Sequence, residues 1–248
     1  MSVETFVFPC SSAQRRLWFL EQMEPGSPVY NIAGTLRLEG PLDAGALQGA
    51  LDAVVMRHEA LRTIFAEVDG NPMQLVVDGV LAAMCVADLS GLREEDRRVE
   101  VERLMREEGM RPFDLGRAPL LRLSLLRLAA TEHLLLVTMH HIIGDGWSMS
   151  VFFRELVELY TAYMRGHESP LPELALQYPD YAVWEQERLT DEALAPHLSY
   201  WRSELEGAPS VLELPADGAH ARSQTWGGAS KSLSLGGALC EGLKGLSR

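Results

Sequence analysis

The residues best suited to chemistry lie in one run, Met139-His140-His141-Ile142-Ile143-Gly144-Asp145-Gly146-Trp147-Ser148, where an apolar stretch gives way to a helical pattern. Adjacent residues of a strand point to opposite faces, so one histidine of the pair can face a cleft while the other faces the interior. A neutral imidazole, with an ordinary pKa of roughly 6.5, can take a proton from an amine nucleophile near neutral pH. Gly144 and Gly146 permit tight backbone geometry, and the lack of a Cβ at Gly146 lets a substrate approach the main chain. The helix that begins just beyond offers a partial positive charge where an oxyanion could develop.

Other chemistries draw on the same residue types. His-His followed by Asp has metal-ligand types but not two histidines on one helical face, and adjacent histidines rarely chelate one ion, so no metal is expected. Ser148 and Ser150 lack the flanking glycines of a nucleophile elbow and suit helix capping better. A structural pair, with one ring in the core and the other in solvent, accounts for His140 and His141 as well as catalysis does. Residue spacing leaves those two readings open.

The elements that must position this run can be read from periodicity. Leu120 to Leu128 and Leu134 to Met139 are apolar runs that predict neighbouring strands in a sheet interior, the second delivering the chain to His140. Phe152, Leu156, Leu159 and Tyr163 recur at helical spacing beyond Gly146, which makes a strand–turn–helix unit. Upstream, a helix opens at Ser11 or Ser12 and runs to Met23. A strand covers Ile32 to Leu38, and a second helix follows Asp43 with Leu47, Leu51, Val54, Val55 and His58 on one stripe. Thr63 to Val68 and Met73 to Val77 predict a hairpin around Asp69-Gly70-Asn71-Pro72, with Pro72 ending the ladder.

Arg93 to Glu108 reads as a surface helix, and Pro179 to Arg188 and Asp191 to Leu205 as two more. Arg57-His58-Glu59 and Arg62 read as the charged edge of an amphipathic helix. Residues 206–229, rich in Gly, Pro, Ala and Ser, predict a linker, followed by a short strand over Ser230 to Leu235 and a helical start around Ala238 to Leu246.

Composition narrows the function classes. A net charge of −13 and 47% hydrophobic residues suit a globular protein and offer no field for nucleic acid or anionic lipid. No apolar stretch approaches the ~20 residues of a spanning helix, and the start carries no secretory pattern, so a cytoplasmic location away from membranes is expected. Cys10, Cys85 and Cys240 are odd in number and far apart, which fits reduced thiols.

Four ordered blocks give the sequence a family resemblance. Ser12-Ala13-Gln14-Arg15-Arg16-Leu17-Trp18-Phe19-Leu20, Arg57-His58-Glu59-Ala60-Leu61-Arg62-Thr63-Ile64-Phe65, His140-His141-Ile142-Ile143-Gly144-Asp145-Gly146 and Tyr178-Pro179-Asp180-Tyr181-Ala182-Val183-Trp184 resemble core motifs of condensation domains of non-ribosomal peptide synthetases. The third is similar to the family's HHxxxDG signature. The resemblance implies an α/β fold, a chloramphenicol acetyltransferase-like lobe whose mixed β-sheet is flanked by helices. It places an amino-terminal lobe at residues 1–205, a crossover at 206–229 and the start of a carboxy-terminal lobe at 230–248, the rest of that lobe lying beyond the chain.

It also implies the reaction, peptide-bond formation between a donor aminoacyl or peptidyl thioester and an acceptor aminoacyl thioester. Both are carried on phosphopantetheine arms of upstream and downstream peptidyl carrier proteins, and no cofactor is bound by the chain itself. His141 is the implied catalytic residue, supported by His140 from behind, by Gly146 through its N–H, and by an ion pair between Asp145 and Arg62. A lobe without its partner is expected to be inactive alone and to self-associate. Carrier docking without chemistry, epimerisation, and acyl transfer by the same histidine are the competing readings.

Overall fold

The computed structural model describes residues 5–210, 231 and 233–247. They group into two compact units, Met1–Glu206 and Gly207–Arg248. The first unit contains β1 (Thr5–Pro9), α1 (Ser12–Met23), β2 (Asn31–Glu39), α2 (Ala44–Arg57), β3 (Thr63–Val68), β4 (Asn71–Val77), β5 (Met84–Asp88), α3 (Glu94–Met110), β6 (Leu121–Ala129), β7 (Glu132–His140), α4 (Gly146–Tyr163), α5 (Tyr178–Arg188) and α6 (Asp191–Glu204). The second contains α7 (Gly237–Leu246).

The main sheet has the order β2-β7-β6-β5, with β5 parallel to β6 and the other pairs antiparallel. This is the expected α/β class with a mixed sheet. Its central strands are apolar throughout because both faces are covered. Leu123, Leu125, Leu135, Val137 and Met139 join one core with Leu47, Leu51 and Val54 of α2 and Phe152, Leu156 and Leu159 of α4. The alternate residues Leu126, Leu128 and Leu136 meet Val101 and Leu104 of α3 on the other face.

The helix starts follow capping chemistry. Ser11 accepts from the Gln14 N–H, and the Gln14 side chain returns the bond to the Ser11 N–H, a complete capping box. Asp43 caps α2 through the Ala46 N–H, and Thr190 caps α6 through the Ala193 N–H. His58 ends the α2 stripe from outside the helix, as its C-cap.

The smaller sheet, β1-β4-β3, departs from expectation in its turn. Val68 pairs with Asn71, so only Asp69 and Gly70 form the loop, both at positive φ (50° and 78°). That is the conformation a two-residue hairpin of this hand requires. Pro72 lies inside β4 rather than ending it, because its nitrogen side faces away from β3 and lies beyond Pro9↔Met73, the last pair with β1. No ladder bond is lost there.

The strands β1 and β5 were not expected: each has five residues and pairs with a segment remote in sequence. The strand anticipated over 230–235 falls partly outside the described residues, and Lys231 and Leu233–Leu235 carry no strand. The anticipated linker lies outside them from residue 211 onward. Among the described residues no helix is long and apolar enough to cross a membrane.

Candidate active site

The histidine pair sits where β7 ends. Asn31 of β2 is the register partner of His140, the His140 N–H donates to Leu120 O at 3.0 Å, and the His141 N–H donates to Tyr30 O at 2.7 Å. Backbone bonds therefore hold both residues. His140 is buried, 2% exposed, while His141 is exposed, as strand alternation requires.

His140 lies against the edges of Phe113 and Tyr30, with centroids at 6.1 and 6.3 Å. Its Nδ1 accepts the Ile142 N–H at 3.1 Å, which leaves the ring proton on Nε2. Burial, and secondarily the neighbouring His141, pushes its pKa down to about 4. It is a neutral ring that shapes the turn from behind.

Asp145 is the N-cap of α4 and accepts from both the N–H and the Oγ of Ser148, at 2.8 and 2.7 Å. Those bonds hold its carboxyl below the usual range, with His141 adding a smaller contribution. The implied ion pair with Arg62 is corrected by the structure. Arg62 pairs with Asp78 and Glu59, while Asp145 is turned into the first turn of α4, where unpaired N–H groups satisfy it.

The two glycines differ. A Cβ at Gly144 would stand 2.9 Å from Met139 Sδ and 3.2 Å from Ser148 Cβ, so the turn closes only without one. A Cβ at Gly146 would meet nothing within 4 Å. Gly146 opens α4 toward solvent, and its main chain is accessible beside His141.

A cavity of about 400 Å³ lies in front of the pair, with Gln14, Arg16, Tyr30, His141, Asp145 and Tyr178 among its walls. It thus joins residues of the first, third and fourth sequence blocks. The Gln14 amide donates to Gln74 Oε1 at 2.9 Å and to Ile142 O at 3.4 Å, and the Gln74 amide donates to Pro9 O at 2.8 Å. This buried chain ties the histidine turn to α1 and to the smaller sheet.

The second block packs behind the site rather than forming a solvated edge. Arg57 Nε and His58 Nε2 meet Glu155 Oε2 of α4 at 3.2 and 2.7 Å, with the Glu155 side chain 7% exposed. Gln177 at the start of α5 donates to Arg57 O and accepts from the Glu59 N–H, joining the second block to the fourth. Gln74, Glu155 and Gln177 had no signal in the sequence, because each is a single polar residue whose partners come from distant elements. Among the described residues no group of three or more His, Cys, Asp and Glu could hold a metal ion.

The family model for the condensation domain matches residues 5–247. A linear gramicidin synthase of Brevibacillus parabrevis is 42% identical over 240 residues, which are 97% of this chain and 5% of that protein. The first condensation domain of the CDA synthetase aligns with a TM-score of 0.74 at 25% identity, over 83% of this chain and 52% of that one. The X-domain solved in complex with OxyB from teicoplanin biosynthesis aligns at 0.72 and 35% identity, over 86% of this chain and 46% of that one. The chain therefore spans about a twentieth of the synthase and about half of each solved chain.

Proposed function

This chain belongs to the condensation-domain family, and on that premise we propose that it supplies the His141 wall of a site for non-ribosomal peptide-bond formation. The observation that carries the reading is the division of labour in the pair. His141 stands exposed in a cavity at a helix start, and His140 is buried, neutral and bonded to the turn that carries it.

The reaction joins a donor aminoacyl or peptidyl thioester to an acceptor aminoacyl thioester, each delivered on the phosphopantetheine arm of a carrier protein. The acceptor amine attacks the thioester carbonyl, a C–N bond forms, the C–S bond breaks, and the thiol leaves with a proton. His141 takes or orients the amine proton. The open main chain of Gly146, at the positive end of α4, faces the carbonyl oxygen as it gains charge. A cavity with both apolar and polar walls suits an arm made of methylenes, amides and a terminal thioester. Upstream and downstream carrier proteins are the partners this reading requires.

The test mixes donor- and acceptor-loaded carrier proteins with the chain, alone and with the other half of the solved relatives' fold supplied, and follows dipeptidyl thioester by intact-protein mass spectrometry. Product that disappears with His141→Ala supports the reading. A second reading, a docking module without chemistry, draws support from the X-domain relative, which was solved as a complex with OxyB. Carrier binding unchanged by His141→Ala, with no product under any of these conditions, would favour it.

A further inference from the structure

The His141 cavity has a neighbour of about 200 Å³, whose walls include His58, Leu61, Met139, Trp147, Val151 and Phe152. Ile143, Ser148 and Tyr178 line both spaces and so form the partition between them. Tyr178 is held in that partition at its far end, where its hydroxyl and Ser11 Oγ share a hydrogen bond of 2.9 Å. Burial raises the phenol's pKa, so the group stays neutral.

The chemistry of the second space is one-sided. Its walls are mainly aliphatic and aromatic, and the one ionisable imidazole among them, His58, is already engaged by Glu155 at 2.7 Å. An apolar cavity of roughly 150 Å³ takes up benzene, so this one has room for an isobutyl or benzyl group. A carboxylate or ammonium placed there would lose its hydration without gaining a partner.

We propose that this second cavity receives the apolar side chain of an aminoacyl thioester reacting at His141, and that Tyr178 sets which side chains pass the partition. The inference rests on the peptide-forming reading and adds a substrate class to it: leucine- or phenylalanine-like residues, with acidic and basic ones excluded. Tyr178 acts here as a specificity residue and takes no part in proton transfer.

The experiment titrates the isotope-labelled full chain with unreactive pantetheine amides of leucine, phenylalanine, alanine and aspartate, followed by NMR. Free-amine forms stand for the acceptor and N-acetylated forms for the donor, so the form that shows a preference identifies which substrate uses the cavity. Leucyl and phenylalanyl amides should bind at least about tenfold more tightly than aspartyl ones, with shifts at Val151 and Phe152. Val151→Trp, or Ala60→Leu on the same cavity wall, should remove that preference and leave alanyl binding unchanged. Tyr178→Ala should admit a tryptophanyl amide that the native chain rejects. Alanyl binding without any side-chain preference overturns the inference alone, and so does a preference that survives both wall-filling variants. Failure of every amide, alanyl included, overturns the reading on which it rests.

Discussion

The Ile142 N–H donates to Nδ1 of His140 at 3.1 Å, so the buried histidine is bonded to the turn that carries the exposed one. A proton added to His140 must land on that same nitrogen, breaking the bond and leaving a charge in the core.

This gives a pH dependence with a fixed sign. The pKa falls from 6.5 to about 4 on folding, so the unfolded chain binds a proton that the folded chain does not. The stability is complete above pH 6.5, declines as pH falls below it and is exhausted near pH 4. The loss should be on the order of 3 kcal/mol. Urea unfolding between pH 7 and pH 4 should show this decline in the native chain, and a shallower one in His140→Asn. Equal slopes in the two would rule out His140 as the source.

Removing the exposed ring should separate activity from stability. His141→Ala should change unfolding free energy by less than about 0.5 kcal/mol. In carrier-loaded single-turnover assays with the complete fold, dipeptidyl thioester formation should fall roughly a hundredfold to ten-thousandfold. A rate within about threefold of the native one would assign the proton to another group.

Glu155 is expected to matter for stability. Glu155→Ala leaves Arg57 and His58 facing a buried gap, and the loss of one partner from such a cluster costs about 3 kcal/mol. Chemical denaturation of the variant measures it directly. A loss below about 1 kcal/mol would mean that the cluster is hydrated.

The two glycines of the turn should respond in opposite ways. Gly144→Ala pushes on Met139 and Ser148 and should cost about 1–2 kcal/mol. Gly146→Ala meets no atom and begins a helix, so stability should be unchanged or slightly higher. Product formation should nevertheless fall, because the added methyl stands on the open main chain beside His141. Thermal melts paired with the mass-spectrometric assay check both.

Much of the local architecture was legible. The α1, α2 and α6 starts follow from Ser11, Asp43 and Thr190, and the central strands from two unbroken apolar runs. These features depend on neighbours within a few residues, where capping and periodicity act. Strand alternation at the end of β7 likewise anticipated one inward and one outward histidine. The short strands β1 and β5 were not legible, since their existence depends on β4 and β6 accepting them.

The sequence by itself determined the fold class, the position of the histidine turn at a strand–helix junction and, through its ordered blocks, the family. The tertiary structure alone decided the partners of the polar groups. It gave Asp145 to Ser148 rather than to Arg62, Glu155 to Arg57 and His58, and Gln14 to Gln74 across 60 residues of chain. The reason is physical. Apolar burial is non-directional and leaves a periodic trace along the chain, whereas a hydrogen bond or ion pair depends on distances of a few ångströms between segments that only packing brings together.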